Sequence, residues 1–236
     1  MQSMRKVEQW KSAIQCEGRV VVLEETTSTQ DAAIDHKLQP GDVCAAVNQT
    51  SGRGRRGNSW NASGGVALTV VLEKAPPQLS IAIAAVLAEE LDQHIENSVG
   101  IKWPNDLLVD GKKLAGILIE QREGFCLVGV GVNVTKLNQR GSISLRELGS
   151  EIDHATVANL VVSAIFSAEK IDSEAAVSLW KFRDILAGTT QSFISHNKRI
   201  TGTVLAIDPL SNLIIDTDSG LISLDASIAS LDLKLT

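Results

Sequence analysis

Hydrophobic positions along the chain fall into short β-branched runs and longer runs with helical spacing. Residues 1–18 are compatible with one short helix. Strands are predicted over 19–25, 42–49, 66–73 and 125–134. Helices are predicted over 27–38, 79–96, 156–171 and roughly 174–186. Because hairpin signals are interspersed among these helices and strands, we expect a mixed α/β sheet rather than a purely parallel one.

The segment VGIKWPNDLLVDGKKLAGILIEQ, residues 99–121, predicts broken strands. Pro104 argues against one continuous central strand, because proline cannot donate to a ladder of hydrogen bonds. Asp110-Gly111 between apolar runs predicts a hairpin turn. The glycines of FCLVGVGVNV weaken the strand that follows, and they leave space in which a ligand can approach the backbone closely.

The pattern changes at Gly188. From there the chain reads as short strands, RITGTVLAID, NLIIDT and GLISLD, separated by Gly, Asn, Asp and Pro. Such spacing predicts a small all-β unit. We therefore expect a main domain over 1–187 and a β domain over 188–236.

Composition narrows the function classes. The 236 residues are 44% hydrophobic and 21% charged, which suits one sizeable core with a small appendage. The net charge of -6 argues against general binding to nucleic acid or to an acidic membrane. No apolar run reaches transmembrane length and the N-terminal stretch is polar, so we expect a cytoplasmic protein. Three cysteines and four histidines are scattered, which indicates buried free thiols rather than disulfides or a metal cluster.

The stretch GRGRRG, residues 52–57, has the letters of a dinucleotide-binding turn. That reading requires a helix after Gly57, and the sequence NSWNASGG makes one improbable. A nucleic-acid patch would need wider positive charge and more aromatic residues than Trp60 alone. Two interpretations remain: a solvated charged loop, or a glycine-rich anion loop that is mobile when empty and orders around its ligand. The arginines available to an anion are Arg53, Arg55 and Arg56.

A second polar cluster lies within twelve residues of otherwise apolar sequence. It contains Lys102, Asn105, Asp106, Lys112 and Lys113. The two neighbouring lysines flank a turn and could simply be solvated. A cation, an amide and an acid around a bend fixed by proline suit a nucleotide phosphate and its Mg²⁺. Two cationic elements beside one cleft would fit a substrate with a polyphosphate.

Three motifs, GRGRRGNSW, KWPNDLLVDGKKLAGILIE and GVGVNV, occur in an order and spacing that resembles biotin protein ligases. The resemblance covers about 20–236. It implies an α+β protein: a mixed α/β catalytic domain related to class II synthetases and biotinyl/lipoyl ligases, then an SH3-like β-barrel. It also implies that biotin and MgATP give biotinyl-5′-adenylate and pyrophosphate. The biotinyl group then passes to a lysine of a biotin carboxyl carrier protein, and AMP is released.

The resemblance further implies roles for individual positions. The Ser-Thr-Asn turn that contacts biotin corresponds to Ser28, Thr29 and Gln30, with Gln in place of the usual Asn. The biotin and adenylate loop corresponds to Gln49, Arg53, Gly54, Arg55 and Arg56. Trp60 corresponds to the aromatic residue against adenine, although it could instead anchor the loop in the core. Asn133 corresponds to a residue of the adenine site.

Lys102 corresponds to the lysine near the α-phosphate, and Lys113 and Gly116 to residues beside the biotin carboxyl group. Asn105 and Asp106 form the family's Asn-Asp pair, in which Asp106 either positions Mg²⁺ or handles the incoming lysine. The implied catalytic set is Arg55, Lys102, Asp106 and Lys113.

Two alternatives stay open at this point. One is a lipoate or octanoate transferase of the same broad fold, against which the KWPND and KLAG pairing argues. The other is a non-catalytic, biotin-responsive regulator, against which the retained cations and Asp106 argue. Many relatives carry an N-terminal DNA-binding domain for which this chain has no room, so a monofunctional ligase without nucleic-acid or membrane partners is expected. The oligomeric state, monomer or homodimer, is not predicted.

Overall fold

The computed structural model describes residues 2–60, 64–136, 139–227 and 229–231. Its helices are α1 (Gln2–Ala13), α2 (Thr29–Asp35), α3 (Leu79–Asp92), α4 (His154–Ala168) and α5 (Ser173–Lys181). The first nine strands are β1 (Val20–Thr26), β2 (Val43–Gln49), β3 (Gly52–Arg53), β4 (Ser59–Trp60), β5 (Gly65–Leu72), β6 (Gly100–Lys102), β7 (Asp106–Val109), β8 (Lys112–Arg122) and β9 (Phe125–Asn133). The remaining strands are β10 (Thr190–Ser195), β11 (Lys198–Ile207), β12 (Leu213–Thr217), β13 (Gly220–Leu224) and β14 (Ser230–Leu231).

Seven strands form the main sheet, in the order β1-β2-β5-β9-β8-β7-β6. Strands β1 and β2 are parallel, and every other neighbouring pair is antiparallel. The predicted mixed sheet is therefore confirmed. The short strands β3 and β4 pair with each other and frame the arginine loop.

Helices cover both faces of the main sheet because successive side chains of a strand point to opposite sides. On one face, Val43 and Ala45 of β2 join the large core that contains the buried residues of α3 and α4. On the other face, Cys44 packs with Ala32 and Ala33 of α2. Burial raises the pKa of the Cys44 thiol to about 12, so this cysteine is a neutral core residue, as expected.

The broken strand predicted around Pro104 is also confirmed. Strand β6 ends at Lys102, and β7 begins at Asp106. Asp110 and Gly111 both have positive φ, at 50° and 74°, and they form the two-residue turn between β7 and β8. The absence of a helix after Gly57 is confirmed for residues 58–60, whereas 61–63 lie outside the described residues.

The second sheet is antiparallel, in the order β13-β12-β11-β10-β14. Three of its strands were predicted. Strands β10 and β14 were not, because TQSFIS has only two apolar residues, Phe193 and Ile194, and β14 is only two residues long. The predicted small β unit is thus present, with residues 232–236 outside the described part. Its boundary at 187/188 stays a prediction.

Trp103 joins the two sheets. Its indole meets the ring of Phe193 edge-on, with centroids 6.1 Å apart, and its Nε1 donates to the Ser211 carbonyl at 3.0 Å. Both aromatic side chains are buried. The bend that carries the second polar cluster is therefore held by the second sheet. No helix in the described residues is long and apolar enough to cross a membrane.

Candidate active site

A cavity of about 210 Å³ lies between the main sheet, the arginine loop and strand β14. It brings together every predicted site residue except Asn133. The predicted residues that line it are Ser28, Thr29, Gln30, Gln49, Arg53, Gly54, Arg55, Arg56, Trp60, Lys102, Asn105, Asp106, Lys113 and Gly116. Residues far apart in the sequence thus converge on one site.

Asn133 lies behind the cavity and does not line it. Its side chain is buried, and its Nδ2 donates to the carbonyls of Lys113 and Ile143 at 3.0 and 3.1 Å. In this structure it fixes the backbone of Lys113 rather than facing the cavity. Its predicted part in the adenine site therefore has no geometric support here.

One end of the cavity is a buried polar network at the start of α2. Ser28 caps this helix, and its Oγ accepts from the Asp31 amide. The Thr29 amide and hydroxyl both donate to Gln49 Oε1, at 2.8 and 3.2 Å. The Thr29 hydroxyl also contacts that of Thr69 at 2.9 Å. Because these buried side chains are hydrogen-bonded to one another, the protein itself fixes the positions of the polar groups at this end of the cavity.

The Gln30 side chain extends from α2 to the main sheet. Its Nε2 donates to the Leu118 carbonyl at 3.1 Å and to the Leu127 carbonyl at 3.2 Å, on neighbouring strands β8 and β9. A Cβ at Gly129 would stand 3.0 Å from this nitrogen. The glycine therefore makes room for Gln30, which ties α2 to the sheet beneath it.

Trp60 covers the floor of the cavity. A Cβ at Gly131 would lie 2.2 Å from Cε2 of the indole, and one at Gly116 would lie 3.4 Å from Cζ3. Lys113 Nζ stands 5.3 Å from the ring centroid, a cation–π distance. Within the described residues the buried indole Nε1 has no hydrogen-bond partner. Side chains therefore occupy the space that the glycines of β9 leave. An acceptor on a ligand would satisfy the orphaned donor.

The other end of the cavity carries the second polar cluster. Lys113 Nζ forms an ion pair with Asp106 Oδ1 at 2.6 Å across β7 and β8. Asn105 exchanges hydrogen bonds with Ile117: its Nδ2 donates to the Ile117 carbonyl at 2.6 Å, and its own carbonyl accepts from the Ile117 amide at 3.0 Å. Asn105 thus holds the bend in place, while the charged pair faces the cavity.

The three loop arginines have different partners. Arg53 donates to both carboxylate oxygens of Asp31, at 2.6 and 3.0 Å, and to Glu120 at 3.4 Å. Arg55 donates to the backbone carbonyls of Ala226 and Ala229.

Arg56 donates to Ser230 Oγ at 2.6 Å. Its φ of 55° places it in the left-handed region within the short 3₁₀ turn Arg55–Gly57. Burial and the neighbouring Arg56 lower the pKa of Arg55, which nevertheless remains cationic near neutral pH.

Sequence reasoning missed two groups of residues at this site. Ser230 and Leu231 line the cavity from β14, and no local signal connects them to a loop more than 170 positions earlier. The other group is the ion cluster around Arg53, made by Asp31, Glu120 and Arg122. Asp31 directly follows the Ser28–Gln30 turn, so its place beside a predicted ligand-binding turn could have indicated it.

The fold is that of an α+β protein with a mixed sheet, and its cavity has one preorganised polar end and one cationic end. Residues 20–136 match the biotin/lipoate A/B protein ligase family. The chain is 31% identical over 225 residues to the bifunctional ligase/repressor BirA of Escherichia coli, covering 85% of this chain and 70% of that protein. It is 37% identical over 123 residues to the biotin--[acetyl-CoA-carboxylase] ligase of Mycobacterium tuberculosis, 46% of either chain.

Among solved structures, the fold is similar to that of the Aquifex aeolicus biotin protein ligase in complex with biotin and ATP. The TM-score is 0.82 at 24% sequence identity, and the match covers 91% of this chain and 98% of that one. The chain belongs to the biotin/lipoate A/B protein ligase family.

Proposed function

We propose that this protein is a biotin--[biotin carboxyl-carrier protein] ligase, which activates biotin with ATP and transfers it to a carrier lysine. The observation that carries the proposal is the cavity itself. Its buried Ser28–Thr29–Gln49 end suits the ureido ring of an otherwise apolar ligand. Its other end gathers Arg55, Lys102 and Lys113, cations that suit a carboxylate and phosphates. The names of the relatives agree with this chemistry.

In the first step a biotin carboxylate oxygen attacks the α-phosphorus of ATP, and pyrophosphate leaves. Two anions must approach each other, so their negative charge has to be neutralised at the point of attack. Lys113 stands beside Asp106 and over the Trp60 ring, which fixes its ammonium group without burying it fully. Lys102 and Arg55 supply further positive charge around the same cavity.

Magnesium fits this site only together with the substrate. Mg²⁺ is usually held by one or two carboxylates plus phosphate oxygens, and Asp106 is a carboxylate that faces the cavity. Among the described residues no group of three or more His, Cys, Asp or Glu side chains could hold a metal alone. When bound, the ion would neutralise charge on the phosphates. Asp106 is the residue that would hold it.

In the second step the carrier lysine attacks the activated carbonyl of biotinyl-adenylate, and AMP leaves. The attacking amine has to lose a proton, and a carboxylate within reach can accept it. Asp106 is the carboxylate on the cavity wall that would accept this proton, and its ion pair with Lys113 at 2.6 Å holds it in place. A carrier subunit of acetyl-CoA carboxylase is the proposed partner, and a cytoplasmic location is proposed.

The test is pyrophosphate release from ATP by the purified protein. We expect release that depends on biotin and on Mg²⁺, with lipoate and octanoate giving only background. Labelling of a carrier by radiolabelled lipoate instead of biotin would favour the transferase alternative. Tight biotin binding without any pyrophosphate release would favour the non-catalytic regulator.

A further inference from the structure

We propose that Asp31 is a positioning residue that anchors one end of the arginine loop through Arg53, leaving Arg55 to meet the ligand. This inference rests on the proposed function, since it concerns how the loop holds biotinyl-adenylate. Asp31 does not line the cavity. It therefore acts through another residue.

Arg53 and Asp31 form a bidentate ion pair. Arg53 Nη1 lies 2.6 Å from Asp31 Oδ2, and Nη2 lies 3.0 Å from Oδ1. Bidentate pairs of this kind fix orientation as well as distance, which a single ion pair does not. Glu120 at 3.4 Å adds a second carboxylate from β8. The start of the loop at β3 is thereby tied to both α2 and β8.

Arg53 and Arg55 have different kinds of partner, which indicates different roles. Arg53 donates to carboxylates, so its charge is already compensated by the protein. Arg55 donates to the neutral carbonyls of Ala226 and Ala229. An anionic ligand would have to break an ion pair to recruit Arg53. To recruit Arg55 it has only to replace neutral acceptors, and charge-assisted hydrogen bonds are the stronger ones.

The anchor also connects the loop to the polar end of the cavity. Asp31 belongs to the first turn of α2, and its amide donates to Ser28 Oγ. Thr29 in the same turn contacts Gln49. The Arg53–Asp31 ion pair therefore positions the loop relative to the turn that is proposed to contact biotin. Hydrogen bonding from Arg53 lowers the pKa of Asp31, so the anchor stays charged throughout the neutral range.

The chain offers a matched control. Arg122 donates to the same Asp31 carboxylate and is as exposed as Arg53, at 37%. It lies at the end of β8 and outside the loop. Arg122→Gln removes one partner of Asp31 without touching the loop, whereas Asp31→Asn removes the charge to which the loop is tied.

The experiment compares adenylate release and biotin affinity in Asp31→Asn, Asp31→Glu, Arg122→Gln and wild type. We expect Asp31→Asn to release biotinyl-adenylate about fivefold faster than wild type, because the contribution of a partly exposed ion pair is modest. Its affinity for biotin in the absence of nucleotide should change less than about twofold. Arg122→Gln should release it at the wild-type rate. Asp31→Glu, which keeps the charge, should release biotinyl-adenylate more slowly than Asp31→Asn.

Trypsin cleavage within the loop gives a readout that needs no activity. Asp31→Asn should be cut faster after the loop arginines than Arg122→Gln, at equal thermal stability. Equal release and equal cleavage in these two variants would overturn the inference, since a merely structural ion pair predicts that result. If wild type makes no adenylate from biotin and ATP, the proposed function fails, and the cleavage comparison alone then decides on the anchor.

Discussion

At the scale of single residues, the site depends on which side chains fill the gaps left by glycines. Gly131 admits the Trp60 ring, and Gly129 admits the amide of Gln30. The sequence indicated close approach at these glycines but not which group approaches, because Trp60 and Gln30 lie 71 and 99 positions away from the glycines they contact. Only the folded chain identifies Trp60 and Gln30 as the occupants.

Trp60→Ala should weaken ATP binding about tenfold and biotin binding much less. The reason is that stacking of a base on an aromatic ring contributes about 1–3 kcal/mol, and adenine is the partner proposed for this ring. Isothermal titration of both ligands tests this. Equal losses for ATP and biotin would show that Trp60 supports the whole cavity instead of one ligand.

Arg55→Gly should speed release of biotinyl-adenylate by on the order of thirtyfold, because loss of one charged contact costs roughly 2 kcal/mol. The escaped adenylate would then acylate lysines of bystander proteins. Dissociation rates and bystander labelling measure the effect. Lys112→Gln is the control, since it removes a cation from the exposed first position of β8, beside the site. Release no faster than in wild type would leave GRGRRG as a solvated loop.

At the scale of elements, one of the contacts between helices α1 and α4 contains a titratable group. The ring of Trp10 stacks on His154 with centroids 6.2 Å apart, and His154 Nε2 contacts the Gly64 carbonyl at 3.3 Å. Burial lowers the pKa of His154 below its usual 6.5, with Lys6 and Arg146 adding to the effect and Gly64 and Asp153 opposing it. The folded protein thus favours the neutral ring.

Stability should fall as the pH drops through 6.5. The unfolded chain gains a proton there that the folded chain resists, and the loss levels off below the folded pKa. Urea unfolding at about pH 8 and about pH 5 measures it. His154→Gln should show a smaller difference between the two values than wild type. An unchanged difference would place the acid sensitivity elsewhere.

The elements themselves were largely predictable. Runs of β-branched residues and helical spacing located the main strands and α3, and the Asp110-Gly111 pair predicted a turn, which the positive φ values of both residues confirm. Helix α3 ends at Asp92, short of the predicted 96, because the Asp92 carboxylate accepts from the Val99 amide and from Arg183. Tertiary contacts of this kind leave no local pattern, and the same holds for the pairing of β3 with β4.

At the scale of the whole molecule, the two sheets share one hydrophobic core. Phe193 and Val204 of the second sheet belong to the same buried cluster as Ile101 and Trp103 of the first part of the chain. Ser211 Oγ donates to the Pro77 carbonyl at 2.7 Å across the same junction. The proposed 187/188 boundary would then separate two units that unfold together.

Phe193→Ala should lower the free energy of unfolding by about 3–5 kcal/mol, the usual cost of removing a buried aromatic ring. Unfolding should remain a single transition when followed by both tryptophan fluorescence and circular dichroism. Phe182→Ala is the control, because that ring is 89% exposed and should contribute little. An early separate transition in the variant would mean that the second sheet unfolds by itself.

The cavity is proposed to join biotin to a carrier lysine in two steps. The most direct measurement is the intact mass of a biotin carrier domain after incubation with the protein, biotin and MgATP. We expect a gain of one biotinyl group that requires both small molecules and disappears when the acceptor lysine is replaced by arginine. A carrier of unchanged mass under saturating substrates, with a known ligase labelling it in parallel, would show that the protein does not carry out this transfer.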